Sequence, residues 1–288
     1  MKHEIINRKE NSTYTEKSPK SAAFLYIPVF GTVLLTIATR KTLSKAGSLY
    51  MNNKASVKQI KPFIRKNKID MSDYPEREYN SFNDFFTREI IPGRRPFSKD
   101  KNILIAPADS KLLYYKISDK VEMNIKGKKY NVKELLRDKE LAEEYRNGVC
   151  LVFRLSVDDY HRYSYIDEGH LVKRKKLRGI LHTVGPIAFK RHKVFKQNQR
   201  EYSILETKNF GTIIQMEVGA MMVGKIKNHN KAEFVRGEEK GYFLFGGSTV
   251  VILLKENIVE IDKDIIKNSE NDIETRVLQG ETVGKKIK

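Results

Sequence analysis

The stretch that most constrains the fold runs from Phe243 to Leu254, where apolar residues flank a Gly-Gly-Ser-Thr corner. The run Val250–Leu254 is short, β-branched and uncharged, which predicts a buried strand. Gly246 and Gly247 permit backbone conformations closed to other residues, so the peptide before Ser248 can be held exposed and strained. A hydroxyl directly after such a peptide can attack the preceding carbonyl. Read alone, two glycines before a strand are more typical of an ordinary turn.

The composition limits the classes of protein and partner. The 288 residues suit one large domain, or a domain with an extension. The net charge of +19 favours an anionic partner, either nucleic acid or an acidic membrane surface. Cys150 is the single cysteine, which excludes an internal disulfide and a multi-cysteine metal site and fits a reducing compartment. The sequence has no P-loop, dinucleotide glycine fingerprint or His-Glu-x-x-His metal motif.

The first third of the chain is basic and has helical patterns. Residues 1–20 are polar and charged, which predicts a flexible N-terminus. Residues 22–38 carry no charge, but Pro28 and Gly31 interrupt them, so an interfacial helix, a buried core helix and a true span or signal all stay open. Residues 40–68 contain many lysines and arginines and no acid. This pattern favours membrane-surface binding, with a solvated basic face or nucleic-acid binding as alternatives.

The remaining sequence changes to short alternating segments separated by Gly and Asn. We therefore predict an α+β fold, with a β-rich catalytic domain over residues 99–288 behind a helical, membrane-associating region over residues 21–98. Lys133–Asn147 is the one convincing helix of the β-rich part. Ser81 and Asp84 form a capping pair for an aromatic helical turn.

Three positions in the β-rich part could carry chemistry. Asp109 lies in a turn of small residues between two apolar strands, His161 follows the apolar strand that ends at Leu155, and Ser248 follows Gly247. Each has a structural alternative as a turn former, a hydrogen-bonded imidazole or a strand-start hydroxyl. Together they supply the acid, base and nucleophile of an activated serine, although sequence spacing does not show that they are adjacent in space.

Six motifs, in order from about Lys45 to Gly284, make the chain resemble a phosphatidylserine decarboxylase. They are Phe82–Arg88 with Arg95-Pro96, Ala106–Asp109, Asp159–Arg162, Val194–Asn198 with Arg200-Glu201, Val218–Gly224, and Phe245–Thr249.

The resemblance implies a self-made cofactor. The proenzyme would cut the Gly247–Ser248 bond, giving a large chain of residues 1–247 and a small chain of residues 248–288 whose Ser248 becomes a pyruvoyl group. Its ketone would form a Schiff base with the amine of the phosphatidylserine headgroup. Loss of carbon dioxide would then give phosphatidylethanolamine, a step of phospholipid biosynthesis. The family analogy assigns Asp109 to the self-processing Asp/His/Ser arrangement, and His161 is our candidate for protonating the carbanion.

One position departs from the family pattern. The motif commonly reads Asp-Tyr-His-Arg-x-His, and its second histidine is usually the base of self-cleavage, but this chain has Ser164 there. Either His161 serves both steps, or His182 or His170 reaches the serine, or processing is slow. His182 is the preferred substitute. Gly246, where the family often has Leu, is a milder change that should not prevent the acyl shift.

The charge fits a lipid substrate at a membrane. We expect a peripheral protein on the cytoplasmic face of the cell membrane, bound to phosphatidylserine in an anionic surface. We expect a homodimer. We expect no bound metal and no nucleic-acid partner. The alternative is a processing-defective relative that binds anionic lipid or nucleic acid without chemistry.

Overall fold

A ten-stranded sheet forms the body of the protein. In a computed structural model of the chain, the structure describes residues 2–17, 47, 49–125, 128–180, 194–220, 226–229, 231–245 and 248–287. The strands are β1 Lys2–Asn7, β2 Ser12–Lys17, β3 Ile103–Ile105, β4 Ser110–Lys116, β5 Glu122–Ile125, β6 Lys128–Asn131, β7 Val149–Leu155, β8 Arg162–Ser164, β9 Gly169–Leu177, β10 Arg200–Thr207, β11 Gly211–Val218, β12 Ile226–Asn228, β13 Glu233–Phe234, β14 Glu239–Phe243, β15 Ser248–Leu254, β16 Val259–Ile261, β17 Glu274–Val277 and β18 Thr282–Lys286.

The large sheet has the order β13-β9-β10-β11-β15-β7-β4-β17-β1-β2. All neighbouring pairs in it are antiparallel except β1 and β17, which run parallel. Three smaller sheets accompany it, with the orders β12-β14-β8, β16-β18-β3 and β5-β6. The fold is therefore a β-rich α+β architecture, as the sequence predicted.

Strand β15 lies in the middle of the sheet, between β7 and β11. All seven of its residues are buried, so the prediction of a buried strand over Val250–Leu254 is confirmed. Val251 and Leu253 enter the hydrophobic core on one face of the sheet. Val250, Ile252 and Leu254 enter the core on the other face. An uncharged run at these positions follows from burial on both faces.

The helices are short. Those with both ends among the described residues are a 3₁₀ helix at Lys54–Gln59 and the α-helices α1 Ile60–Asn67, α2 Phe82–Phe86, α3 Val132–Leu136, α4 Lys139–Glu143, α5 Val194–Gln197 and α6 Lys263–Glu270. The predicted cap of α2 is confirmed, since Ser81 Oγ accepts a hydrogen bond from the Asp84 backbone N–H at 3.1 Å. Among the described residues, no helix is both long enough and apolar enough to cross a bilayer.

The predicted helix over Lys133–Asn147 is two helices, α3 and α4. The chain breaks at Arg137, which adopts the left-handed conformation with φ of 49° and ends α3. Asp138 then caps α4, because its side chain accepts a hydrogen bond from the Leu141 backbone N–H at 3.2 Å. The spacing of apolar residues stays helical through both segments, which is why the sequence predicts one helix. The capping residues divide it into two.

The N-terminus differs from the expected flexible segment. Residues 2–17 form the β1–β2 hairpin, which extends the large sheet beyond β17. Its turn includes Asn11 at φ 49°, a conformation that Asn tolerates well. An edge hairpin pairs through its backbone and can leave many polar side chains in solvent, so a polar composition does not exclude it. Ile5 anchors the hairpin in the core with no exposed surface.

The helical region packs against the segment that precedes β15. Residues 18–46 and 48, including the uncharged stretch 22–38, lie outside the described residues. The basic residues Lys61, Arg65 and Lys66 are exposed on α1. On the inner side, the Phe82 and Phe245 rings meet edge to face, with their centroids 4.8 Å apart. Aromatic contacts therefore hold the helical region against the loop that leads to Ser248.

Candidate active site

Ser248 and His161 meet in the core of the molecule. Ser248 begins β15 opposite Leu155, the last residue of β7. The chain leaves β7, turns, and brings His161 back alongside the start of β15. The Ser248 Oγ lies 3.2 Å from the His161 Nδ1, and both side chains are fully buried. The predicted nucleophile and base candidate are therefore in hydrogen-bond contact.

The second ring nitrogen of His161 fixes the direction of that hydrogen bond. His161 Nε2 lies 2.9 Å from the backbone oxygen of Ser156, which can only accept, so Nε2 carries the proton. Nδ1 is then unprotonated and accepts from the Ser248 hydroxyl. Burial lowers the pKa of His161 to about 3, against an opposing effect of the Ser156 carbonyl and with a smaller lowering by Arg88. The imidazole is thus neutral at physiological pH, and its Nδ1 lone pair is free to accept the Ser248 hydrogen bond.

A buried ion pair supports the Ser156 peptide. Asp159 Oδ2 accepts hydrogen bonds from the Ser156 backbone N–H and from Lys111 Nζ, each at 2.6 Å. Burial raises the pKa of Asp159 to about 7, with Lys111 acting in the opposite direction. Burial alone would lower the pKa of Lys111, but Asp159 and then Asp158 outweigh it and leave that pKa raised. The pair therefore orients the carbonyl that selects the His161 tautomer.

A second buried group extends this support to the N-terminal hairpin. Arg154 Nη1 donates to Ser156 Oγ at 2.9 Å, and its Nε donates to Glu274 at 3.0 Å. Glu16, on β2, accepts from Arg154 Nη2 at 2.7 Å. Burial would raise the pKa of Glu16, but the Arg154 charge outweighs burial and lowers it. The hairpin also contacts Ser156 directly, since Glu16 accepts a hydrogen bond from Ser156 Oγ at 3.3 Å.

The opposite side of His161 is aromatic. The Phe86 ring lies over the imidazole, with centroids 4.1 Å apart and planes tilted by 35°. The neighbouring Asn83 accepts a hydrogen bond from the Phe245 backbone N–H at 2.9 Å, three residues before Ser248. Helix α2 therefore contacts both His161 and the segment that leads to Ser248.

The structure places Asp109 in another arrangement. Its carboxylate is held by Arg95, with Nε to Oδ1 at 2.9 Å and Nη2 to Oδ2 at 2.7 Å, and by the Gln279 backbone N–H at 2.8 Å. Ser164 Oγ donates to the nearby Pro107 carbonyl at 3.3 Å. Asp109 thus anchors the turn before β4 to the turn after β17.

The other predicted positions are farther from the contact or not described. His170 lies on β9 and is more than half exposed, 3.3 Å from Glu206. Gly247, on one side of the predicted cleavage site, and His182, the predicted substitute base, lie outside the described residues. The structure therefore brings together two of the predicted residues, His161 and Ser248.

Sequence reasoning missed the buried supporting charges. Lys111 and Arg154 are each at most 3% exposed, and each lies within an apolar strand. A lone cation inside such a strand was an available signal, because a buried charge is tolerated only when paired. Its partners were not readable, since Lys111 and Asp159 are 48 residues apart and Arg154 and Glu274 are 120 apart.

Comparison with known proteins identifies the family. A family model described as phosphatidylserine decarboxylase matches residues 82–285. The chain is 53% identical to phosphatidylserine decarboxylase proenzyme 2 of Clostridium acetobutylicum, with 97% of each chain covered. It is 43% identical to the phosphatidylserine decarboxylase proenzyme of Clostridium tetani, with 98% of each covered, and 41% identical to that of Fusobacterium nucleatum, with 98% of this chain and 97% of the relative covered. The chain therefore belongs to the phosphatidylserine decarboxylase family.

Proposed function

We propose that this chain is a proenzyme that cuts itself between Gly247 and Ser248 and then decarboxylates phosphatidylserine to phosphatidylethanolamine, a step of phospholipid biosynthesis. The observation that carries the proposal is the 3.2 Å contact between Ser248 Oγ and the unprotonated Nδ1 of His161. A hydroxyl hydrogen-bonded to a neutral imidazole is the arrangement that activates a serine nucleophile. The family of the chain supports the same reaction.

In the first step, His161 acts as the base of self-cleavage. Nδ1 takes the hydroxyl proton while Ser248 Oγ attacks the Gly247 carbonyl carbon. The proton then passes to the departing amide nitrogen, and an ester replaces the peptide bond. Because burial lowers the pKa of His161 to about 3, the imidazolium readily returns its proton to the amine. One histidine can therefore serve this step without a second one at position 164.

The ester then breaks down to the cofactor. Loss of the Ser248 Cα proton expels the Gly247 carboxylate, and hydrolysis of the resulting enamine releases ammonia and leaves a pyruvoyl group at the start of the small chain. The site fits this group, since residue 248 is fully buried and lies beside His161. Strand β15 is paired on both sides, which keeps the large chain 1–247 and the small chain 248–288 together.

In the second reaction, the residues around His161 handle the substrate. The pyruvoyl group supplies an electrophilic carbonyl that binds the substrate amine covalently and accepts the electron pair left by carbon dioxide. Nδ1 of His161 is placed to take a proton from the substrate ammonium as that group binds, and to give the proton to the substrate carbon after carbon dioxide leaves. The aromatic side chains of Phe86 and Phe245 limit the access of water to this proton transfer.

Asp109 has a supporting role in this proposal. Its two-point pairing with Arg95 fixes the turn next to Ser164, the position where the family often has a second histidine. Asp109 thus contributes to self-processing through the position of the β8 segment that follows His161. His182 remains the alternative base, and its replacement belongs in any test of His161.

The substrate places the protein at a membrane. We propose a peripheral protein on the cytoplasmic face of the cell membrane, active as a homodimer, with the exposed basic residues of α1 directed at the lipid. Each basic residue near an anionic surface contributes about 1 kcal/mol of binding, so a few of them give reversible attachment. No metal and no nucleic acid takes part in this scheme.

The test is decarboxylation by the mature protein on vesicles that contain phosphatidylserine. We expect release of carbon dioxide and formation of phosphatidylethanolamine, and neither from Ser248→Ala, which should stay uncut. Correctly cut protein that releases no carbon dioxide would contradict the proposed reaction. An uncut wild-type chain that binds anionic vesicles would instead support the processing-defective relative.

A further inference from the structure

A buried cation beside His161 has few hydrogen-bond partners. Arg88, two residues beyond α2, is 1% exposed. Its Nη1 donates to the Phe85 carbonyl at 3.3 Å, but Nε and Nη2 are buried with no hydrogen-bond partner among the described residues. A buried charged group without partners is strongly disfavoured, so this edge of the guanidinium requires an explanation.

The surroundings of Arg88 hold the guanidinium by its faces. Its Cζ lies 4.1 Å from the ring centroid of Tyr74 and 4.7 Å from that of Phe85. Burial raises the pKa of the Tyr74 hydroxyl to about 12, and the neighbouring Arg88, through its charge and a side-chain hydrogen bond, acts against that rise. Stacking occupies the faces of the cation and leaves the N–H groups at its edge for an acceptor.

Two other arginines, the half-buried Arg95 and the buried Arg154, show what this edge binds. Arg95 grips Asp109 with Nε and Nη2, and Arg154 grips Glu274 with the same two nitrogens. In both cases the acceptor is an oxyanion bound at two points. Arg88 presents the same pair of nitrogens, and no carboxylate of the described residues forms an ion pair with it.

The position of Arg88 connects this edge to the active site. Phe86, two residues earlier, lies over His161 at a tilt of 35°, and the Arg88 charge contributes to the lowered pKa of that imidazole. Arg88 therefore lies on the aromatic side of the base, opposite Ser156. A substrate bound covalently at residue 248 would extend its headgroup into this neighbourhood.

We propose that Arg88 binds the phosphodiester of the substrate headgroup through Nε and Nη2. The proposal rests on the proposed function. The guanidinium edge matches two phosphate oxygens, and the charge of a phosphodiester does not change during the reaction. A cation on the reacting carboxylate would stabilise the charge that must be lost, and would oppose decarboxylation. Arg88 is thus a binding residue that holds the headgroup while the carboxylate stays free to depart.

Binding of soluble headgroups to the mature protein tests the assignment by calorimetry. Glycerophosphoethanolamine carries the phosphodiester and amine without a carboxylate, whereas serine carries the carboxylate and amine without a phosphate. We expect Arg88→Gln to weaken glycerophosphoethanolamine binding about 10- to 100-fold, Arg88→Lys to weaken it less, and neither to change serine binding. The matched control is Arg77→Gln, since Arg77 also stacks on a tyrosine, at 4.4 Å from the Tyr79 centroid, but is exposed.

Several outcomes would overturn the assignment. Loss of serine binding in Arg88→Gln would assign the residue to the carboxylate. Equal affinity of the wild type for inorganic phosphate and glycerophosphoethanolamine would indicate a general anion site. If Arg88→Gln does not fold, the wild type alone decides, because it should bind glycerophosphoethanolamine at least about tenfold more tightly than ethanolamine, and equal affinities would contradict the proposal.

Carbon dioxide release, measured on the same preparations, separates this proposal from the proposed function. For Arg88→Gln we expect KM to rise about 10- to 100-fold with kcat nearly unchanged, because the contact is made equally in the ground and transition states. If the wild type releases carbon dioxide but binds ligands with and without a phosphodiester equally, only the proposed role of Arg88 is rejected. The wild type could instead release no carbon dioxide but still bind ligands with a phosphodiester more tightly, and Arg88→Gln could abolish that preference. This result would reject the decarboxylase proposal and keep the proposed phosphodiester site at Arg88.

Discussion

The two sides of the His161 ring are lined by different kinds of side chain. On one side, the Ser156 peptide is held by Asp159 and Lys111, and its hydroxyl by Arg154, so the polar atoms are paired. On the other side lie aromatic rings and one cation, Arg88, two of whose nitrogens have no hydrogen-bond partner among the described residues.

The difference separates positioning from binding. A fully paired buried network can hold a ring in one orientation and one tautomer, since every polar atom loses a partner if the ring moves. Aromatic rings beside an unpaired cation do not fix the orientation or tautomer of the imidazole, and the unpaired N–H groups can bind a ligand. We therefore assign the polar side to the activation of Ser248 and the aromatic side to the substrate.

The largest effect on self-cleavage should come from removing the His161 imidazole, which lies between the polar and the aromatic side. His161→Ala is expected to slow self-cleavage by about 10²- to 10⁴-fold, the usual contribution of a positioned base. Appearance of the two chains over time, followed by mass spectrometry, measures this rate. His170→Ala is the matched control, because His170 is exposed on β9. Normal cleavage by His161→Ala together with loss of cleavage in His182→Ala would transfer the role to His182.

Breaking the aromatic side should mainly reduce stability. Phe86→Ala removes a fully buried ring from the His161 face and is expected to lower the free energy of unfolding by about 3–5 kcal/mol. Urea unfolding in a Ser248→Ala background measures this without mixing cut and uncut chains. Phe86→Leu keeps most of the volume and should cost less. A loss below about 1 kcal/mol for Phe86→Ala would show that the ring is not part of a packed wall.

The polar side should set the pH dependence of cleavage. Asp159 is charged above its raised pKa of about 7, while His161 is neutral above about pH 3. Lowering the pH from 8 to 6 should therefore slow cleavage about tenfold through protonation of Asp159, which weakens the support of Ser156.

A pair of variants separates the two titrations. Asp159→Asn should cleave slowly with no change between pH 6 and 8. Asp158→Asn should keep the inflection but move it to lower pH, because the exposed Asp158 carboxylate raises the pKa of Asp159. An inflection near pH 6.5 that survives in Asp159→Asn would show that His161 itself titrates there.

The smallest effect is expected at the outer end of the polar side. Glu16→Gln removes the charge that pairs with Arg154 and should lower stability at pH 7 by about 1 kcal/mol. The pKa of Glu16 is lowered in the folded chain, so this contribution should disappear as the pH falls below about 4.5. Glu10→Gln, at the exposed turn of the hairpin, is the control. Equal stability of both variants would separate the hairpin from the site.

Parts of this arrangement could be predicted from sequence because the signals are local. The uncharged run of β15 predicts burial on both faces, and the turn after β7 places His161 near the end of that strand. The base and nucleophile candidates were therefore found, and the structure shows them in contact. The cap of α2 was readable for the same reason, since Ser81 and Asp84 are three residues apart.

The rest depended on partners far away in the sequence. Lys111 and Arg154 are explained only by carboxylates that the sheet brings next to them. The β1–β2 hairpin is polar because it lies at a sheet edge, and composition alone predicted a flexible end. Asp109 is paired with Arg95 in the structure, a partner that the Asp/His/Ser arrangement did not include. Its role in self-processing stays a prediction.

Intact mass and end-group chemistry of the purified wild-type protein, beside His161→Ala, test the central claim most directly. We predict two wild-type chains that meet between Gly247 and Ser248, the smaller with a ketone in place of its terminal amine, and one uncut chain for His161→Ala. A wild-type protein that stays as one chain with an intact Ser248, or a His161→Ala protein that cuts as fast as wild type, would contradict the activation of Ser248 by His161.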